Sequence, residues 1–203
     1  MTAMASDRLI VALGVDEPTK ALELAIATAP HVGMFKASPA HLYARGPLFI
    51  DALNHIKPGI FLDLKLYDIP ETVRRATANL SRSGATFLTV HGHRSVMEAA
   101  AREKGAMKIL AVTVLTSFDQ KDFQEFETKK TMQEIVLGRA RGAVEAGCDG
   151  VIASGLEAKP PKAEFKERLL IVTPGSRPAS TKDDQKRTVD VAQAFKNGAD
   201  YIV

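Results

Sequence analysis

Eight short apolar runs, with helix-like stretches between them, constrain the fold of this sequence more than any other feature. The runs are LIVALGV (9–15), VGMFKA (32–37), GIFLDLK (59–65), TFLTVH (86–91), KILAVTV (108–114), DGVIAS (149–154), LLIVT (169–173) and DYIV (200–203). Most are continuously apolar. A strand with one wet face alternates apolar and polar residues, whereas a continuous run marks a strand covered on both faces, as in parallel sheets. Parallel neighbours need long crossovers, and the intervening stretches supply helices. EPTKALELAIATA (17–29) carries proline in its first turn, and PETVRRATANLSRSG (70–84) starts on proline and stops on glycine. MQEIVLGRARGAVEAG (132–147) and VDVAQAFKNGA (189–199) also run into a glycine. Eight strands with helices between them read as one (β/α)8 barrel. An open doubly wound sheet is the alternative, weakened because no GxGxxG or Walker A pattern is present.

Composition narrows the function. The 203 residues are 45% hydrophobic and 25% charged, enough for a single domain with a sizeable core. A net charge of +3, from 27 basic and 24 acidic side chains, is too weak and dispersed to argue for nucleic acid. The single cysteine, Cys148, permits no internal disulfide and fits a reducing compartment. No long apolar run argues for a membrane span, and the N-terminal MTAMASDR lacks the apolar core of a signal peptide. The expectation is a soluble cytoplasmic protein.

The third run is anomalous. FLDLKLYDIPET (61–72) begins as a buried strand yet carries Asp63, Lys65 and Asp68. Alternation puts Asp63 and Lys65 on one face, which in a barrel is the interior, at the strand end where barrel enzymes place their chemistry. Asp68 follows in the loop before Pro70 opens a helix. A lysine between two carboxylates stays protonated and becomes a fixed proton donor in a sheltered site. Taken alone, the array could equally be a structural ion pair at the barrel mouth.

Other polar groups collect at the same strand ends: Lys36 on the second, His91 on the fourth, Thr116 and Ser117 after the fifth, and VTPGSRP with the loop carrying Gln185 after the seventh. Each has a plain structural explanation. Lys36 could snorkel, His91 could be an ordinary barrel-mouth histidine, Thr116 and Ser117 could cap a turn, and PGSRP could be a tight turn. His31, His41, His55 and His93 are read as structural. The Cys and His spacings match no zinc site.

With these residues assembled, the sequence resembles the orotidine 5′-monophosphate decarboxylase family from Leu9 to Val203. FLDLKLYDIPET matches the family's DxKxxDIPxT signature, and AVTVLTS, DGVIAS and VTPGSRP follow in the family's order. The resemblance implies a (β/α)8 barrel, a homodimer with shared active sites, and cofactor-free, metal-free decarboxylation of orotidine 5′-phosphate to UMP in pyrimidine biosynthesis. It also implies roles. Lys65 would protonate C6 of the pyrimidine, and Asp63 would face the substrate carboxylate and hold Lys65. Asp68 would reach into the partner's site, and Thr72 would lie near the ribose of the partner's substrate. Lys36 would touch the ribose, Ser117 the pyrimidine, and Arg177 and Gln185 would lie on the loop closing over the phosphate.

Two departures stand out. The family carries an aspartate at the end of the first strand, in a VALD-like pattern, where this chain has Gly14; Asp16, two residues on, is the candidate to reach in from the loop. After GADYIV the family continues with a Gly-Arg pair whose arginine grips the phosphate. The expectation is one barrel domain over 1–203 that lacks the last loop and closing helix. A form extended by about 25–30 residues would be the active one. Two other functions compete: a magnesium-dependent keto-gulonate phosphate decarboxylase-like enzyme, and an impaired or non-catalytic nucleotide binder.

Overall fold

The computed structural model describes residues 5–57, 59–118, 130–175 and 189–203. Eight strands run through them: β1 (Ile10–Ala12), β2 (Met34–Ala37), β3 (Ile60–Leu66), β4 (Phe87–His91), β5 (Lys108–Val112), β6 (Gly150–Ile152), β7 (Leu170–Thr173) and β8 (Tyr201–Ile202). They pair in sequence order, each pair parallel. A parallel bridge between Leu9 and Ile202 returns β8 to the start of β1. The sheet therefore curls into a nearly closed (β/α)8 barrel, and the open-sheet alternative is set aside.

Two apolar populations explain the continuous runs. Ile10, Met34, Phe61, Phe87, Leu110, Val112, Ile152 and Val172 form one cluster, inside the barrel. Within it Phe61 meets Phe87 edge to face at 5.9 Å, and Phe87 meets Tyr201 at 5.3 Å. Phe35, Leu62, Leu88, Ile109 and Ile171 belong to a second cluster with the helix residues Leu53, Val73, Met97 and Val136. Neighbours such as Phe61 and Leu62 thus point to opposite faces, and both faces are dry. Gly150, at the start of β6, reflects the tightness of this packing. A Cβ there would lie 2.6 Å from the Leu170 carbonyl oxygen and 2.7 Å from Leu110.

The helices are α1 (Pro18–Thr28), α2 (Pro39–Arg45), α3 (Pro47–Ile56), α4 (Pro70–Leu80), α5 (Arg94–Glu103), α6 (Met132–Glu145), α7 (Lys159–Phe165) and α8 (Val191–Lys196). The four expected from sequence are α1, α4, α6 and α8, each somewhat shorter than its pattern. Thr131 opens α6 reciprocally: its N–H donates to Glu134 Oε2 at 2.7 Å, and its hydroxyl accepts from the Glu134 N–H at 3.3 Å. Helices α2, α3, α5 and α7 were not foreseen. The first two share Gly46, whose φ of +61° ends one helix before Pro47 opens the next, so no single amphipathic period spans them. Helix α7 is short and proline-rich.

The end of the barrel where the strands begin is built for cohesion. Asp149 and Asp200, just before β6 and β8, accept the backbone N–H of Ile109 and Ile171 at 2.9 and 2.8 Å. Each also takes a lysine, Lys104 at 2.9 Å and Lys162 at 2.8 Å. The same device recurs two strands apart, on the face where barrels place stability rather than chemistry. Among the described residues no helix is long and apolar enough to cross a membrane.

Candidate active site

The inward-facing positions of β2, β3 and β4 bring Lys36, Asp63 and Thr89 to one level above the phenylalanine layer. Asp63 is their hub. Its Oδ2 accepts from Lys65 Nζ at 2.9 Å and from Lys36 Nζ at 3.1 Å, and its Oδ1 accepts from the Thr89 hydroxyl at 2.9 Å. The side chains are 12% exposed at Asp63, 19% at Lys36 and 37% at Lys65, so the acid is sheltered while the Lys65 ammonium keeps an open side. Burial pushes the Asp63 carboxyl up, but the two ammonium groups outweigh it and hold the pKa below its ordinary value. The carboxylate is therefore ionised, and it is fully committed to donors already in place.

Lys65 does not reach this position by simple alternation. Its φ is +48°, in the left-handed region that side-chain-bearing residues avoid. The β3–β4 ladder pairs Leu62 with Leu88 and then Leu66 with Val90, so β3 carries two more residues than β4 across that interval. The excess is a bulge, and it aims Lys65 back toward Asp63. Such a backbone costs about 1–3 kcal/mol and persists where surrounding contacts enforce it, most often at functional sites.

A cavity of about 190 Å³ opens over this cluster, lined by Lys36, Asp63, Lys65, Thr116, Ser117 and Pro174, with Phe61, Val112 and Ile152 among its apolar walls. One side carries the two ammonium groups with the Asp63 carboxylate they share, and the rest is apolar or hydroxylic, which suits a small, planar, anionic ligand.

Lys36, Asp63, Lys65 and Ser117 thus converge as the sequence suggested. Asp68 and Thr72 do not join them within one chain: both are exposed, and the Asp68 carboxylate accepts the N–H of Ile69 at 2.7 Å. Within one chain, among the described residues, the ion-pair partner of Lys65 is Asp63. The loop after β3 turns Asp68 outward beside exposed Tyr67 and Ile69. Asp16 lies with Gly14, Glu17 and Lys20 around a separate open depression of about 390 Å³ and does not line the Lys65 cavity. Arg177 and Gln185 fall outside the described residues.

His41 is buried, stacks on Phe49 at 4.9 Å, and its Nε2 lies 3.0 Å from the Val15 carbonyl. His91 packs against Tyr67 at 5.0 Å, and burial, helped by Arg139, Lys65 and His93, holds its pKa below the ordinary value. Among the described residues no group of three or more His, Cys, Asp or Glu side chains could hold a metal ion. Thr89 was missed. Its signal was its place at a period of two between Phe87 and His91, but threonine is so ordinary in strands that composition gives no warning.

Known proteins share this architecture. The model of the "Orotidine 5′-phosphate decarboxylase / HUMPS" family matches residues 7–203. The orotidine 5′-phosphate decarboxylase of Methylococcus capsulatus is 48% identical over 202 residues, covering 98% of this chain and 83% of that protein. The Stenotrophomonas maltophilia protein of the same name is 43% identical over 97% of this chain and 83% of its own length. Among solved structures, orotidine 5′-phosphate decarboxylase from Lactobacillus acidophilus superposes with a TM-score of 0.82 at 34% identity, over 96% of this chain and 88% of that one. The chain belongs to the orotidine 5′-phosphate decarboxylase / HUMPS family.

Proposed function

We propose that this chain removes CO2 from orotidine 5′-phosphate to give UMP, using its own side chains and no metal or organic cofactor. The observation that carries the reading is one carboxylate, Asp63, holding two ammonium groups at 2.9 and 3.1 Å over a cavity. As the bond from C6 to the carboxyl carbon breaks, its electron pair stays on C6. No adjacent carbonyl can delocalise that pair. A cation already in place stabilises it without reorganising; at ~4 Å and an effective dielectric of ~20 the attraction is about 4 kcal/mol. Lys65 then gives C6 a proton, CO2 departs, and the neutral amine regains its proton from solvent.

Asp63 supports this in two ways. It holds the Lys65 ammonium in place at 2.9 Å, and it faces the substrate carboxylate, which disfavours the bound ground state relative to a transition state in which that charge is dispersing. Lys36 and Ser117 are assigned to the ribose and the pyrimidine, and Arg177 and Gln185 to the phosphate. Binding energy from the phosphate offsets the cost of bringing like charges together.

The functional unit is assigned as a homodimer in which Asp68 and Thr72 enter the partner's site. Supporting this, Tyr67 and Ile69, which flank Asp68, are 60% and 67% exposed. A cytoplasmic setting is the companion assignment, and the buried free thiol of Cys148 is in keeping with it.

The test is the loss of orotidine 5′-phosphate absorbance on addition of purified protein, repeated with chelator and with Lys65→Ala. Turnover that survives chelation and disappears in the variant is expected. Turnover abolished by the chelator would move the chain to a magnesium-dependent relative. UMP binding with no turnover would make it a nucleotide binder.

A further inference from the structure

We propose that Thr89 is a positioning residue for the decarboxylation, its single hydroxyl fixing both the Asp63 carboxylate and the backbone turn that aims Lys65. The proposal rests on the reading of Lys65 as the proton donor. Thr89 is fully buried on β4, between Leu88 and Val90, the residues that bound the bulge in β3. In a regular ladder the N–H of a strand residue donates to a carbonyl of its neighbour. The Lys65 N–H donates instead to Thr89 Oγ1 at 2.9 Å. That hydroxyl has one proton of its own, and it goes to Asp63 Oδ1 at 2.9 Å. Asp63 Oδ2 in turn receives the ammonium of the same Lys65 at 2.9 Å.

The result is a closed circuit of three residues. Lys65 is held at its backbone by Thr89 and at its tip by Asp63, and Asp63 is held by Thr89. The hydroxyl does two things that no apolar side chain can do. It satisfies the N–H that the bulge removes from the ladder, so the left-handed conformation at Lys65 leaves no buried donor without a partner. It also ties down one carboxylate oxygen, so the acid cannot rotate and the other oxygen stays presented to Lys65 and Lys36. Catalytic side chains must stand within a fraction of an ångström of their working positions, and this is the kind of supporting contact that holds them there.

Thr89→Val keeps the shape and deletes the hydroxyl, whereas Thr89→Ser keeps the hydroxyl and deletes the methyl. Steady-state kinetics with orotidine 5′-phosphate, thermal unfolding, and hydrogen exchange at the Lys65 amide are to be measured on the full chain. Thr89→Val is expected to lower kcat about 10- to 100-fold, as for loss of a hydrogen bond to a charged group. Its KM should stay within about threefold, because substrate contacts are untouched. Thr89→Ser should keep kcat within about threefold of the parent, since the donor and acceptor remain. In the parent, the Lys65 amide should exchange slowly despite lying in the bulge.

Parental kcat in Thr89→Val, equal losses in both variants, or a loss confined to KM would each overturn the proposal. Fast exchange at the Lys65 amide of the parent would overturn it even if Thr89→Val failed to fold. A parent that folds with a protected amide but does not decarboxylate would instead count against the assigned reaction.

Discussion

Lys65 Nζ lies 2.9 Å from Asp63 Oδ2, the same oxygen that accepts Lys36 Nζ at 3.1 Å. One anion therefore restrains two cations, and its removal does more than delete a contact. Asp63→Ala would leave the sheltered Lys36 ammonium without its partner and facing the more open one of Lys65. Losing one partner of a buried ion pair typically costs about 3–5 kcal/mol, and the freed Lys65 would lose its aim. The expected outcome is a lowered melting temperature together with a fall in kcat of about 10²–10³-fold, the scale seen when a preorganised electrostatic group is deleted. Thermal unfolding and steady-state rates on the same preparation check both parts.

The pH dependence follows from the same cluster. Burial raises the Asp63 pKa, Lys36 and Lys65 lower it by more, and the folded value lies below the ordinary 3.8. A carboxyl that is more acidic folded than unfolded contributes stability that is complete above its unfolded pKa. That contribution is lost as pH falls through the folded value. The stability difference between parent and Asp63→Asn should therefore be constant from neutrality down to about pH 4 and shrink only below it. Denaturant midpoints across that range measure it. A difference already gone at pH 6 would contradict the ion-pair assignment.

Gly14 stands where the resemblance leads one to expect an aspartate. A Cβ built there meets no atom within 4 Å, so the backbone has room for a side chain. Gly14→Asp should fold normally and lower KM for orotidine 5′-phosphate about 2- to 10-fold, the yield of one net hydrogen bond. Kinetics on the pair of proteins would show it. An unchanged KM would mean that the ribose is held by other groups in this chain.

The proposed sharing of sites across a dimer makes a quantitative prediction for mixed dimers. Lys65→Ala and Asp68→Ala should each be nearly inactive alone. In a dimer of one chain of each, one site collects both defects and the other collects none. Full exchange of an equimolar mixture should restore about a quarter of parental activity, since half the dimers are mixed and half their sites intact. No recovery after exchange would argue that Asp68 serves its own chain or none.

Cys148 is buried, and burial, reinforced by neighbouring Asp149, pushes its thiol pKa up to about 12. The native protein should therefore resist alkylation at pH 8, and the unfolded chain should react at once. Mass spectrometry after a short exposure to a maleimide distinguishes the two.

The barrel was legible because burial on both faces writes itself as unbroken apolar runs, and because helices such as α4 carry proline at one end and glycine shortly beyond the other. Helices α2 and α3 were not legible, since Gly46 and Pro47 interrupt the period between them. In the site, Lys36, Asp63 and Lys65 were visible because a charge in a dry strand needs a reason. The conformation of Lys65 was not visible. Alternation alone would put residues 63 and 65 on one face, but the actual backbone has a bulge and a left-handed turn, and only the three-dimensional ladder reveals them. Thr89 escaped for the same reason, its importance coming from a neighbouring strand's irregularity and not from its own type. The role proposed for Asp68 in a partner's site rests on the family signature, because within one chain the residue is exposed.

Hydrogen exchange at C6 of UMP tests the central claim most directly. If the Lys65 ammonium delivers the proton to C6, microscopic reversibility requires its amine to remove that proton. UMP held with the protein in deuterated water should then lose its C6 proton signal, and Lys65→Ala should abolish the loss while leaving UMP bound. Exchange continuing at the parental rate in Lys65→Ala would show that another group, or water, handles the proton.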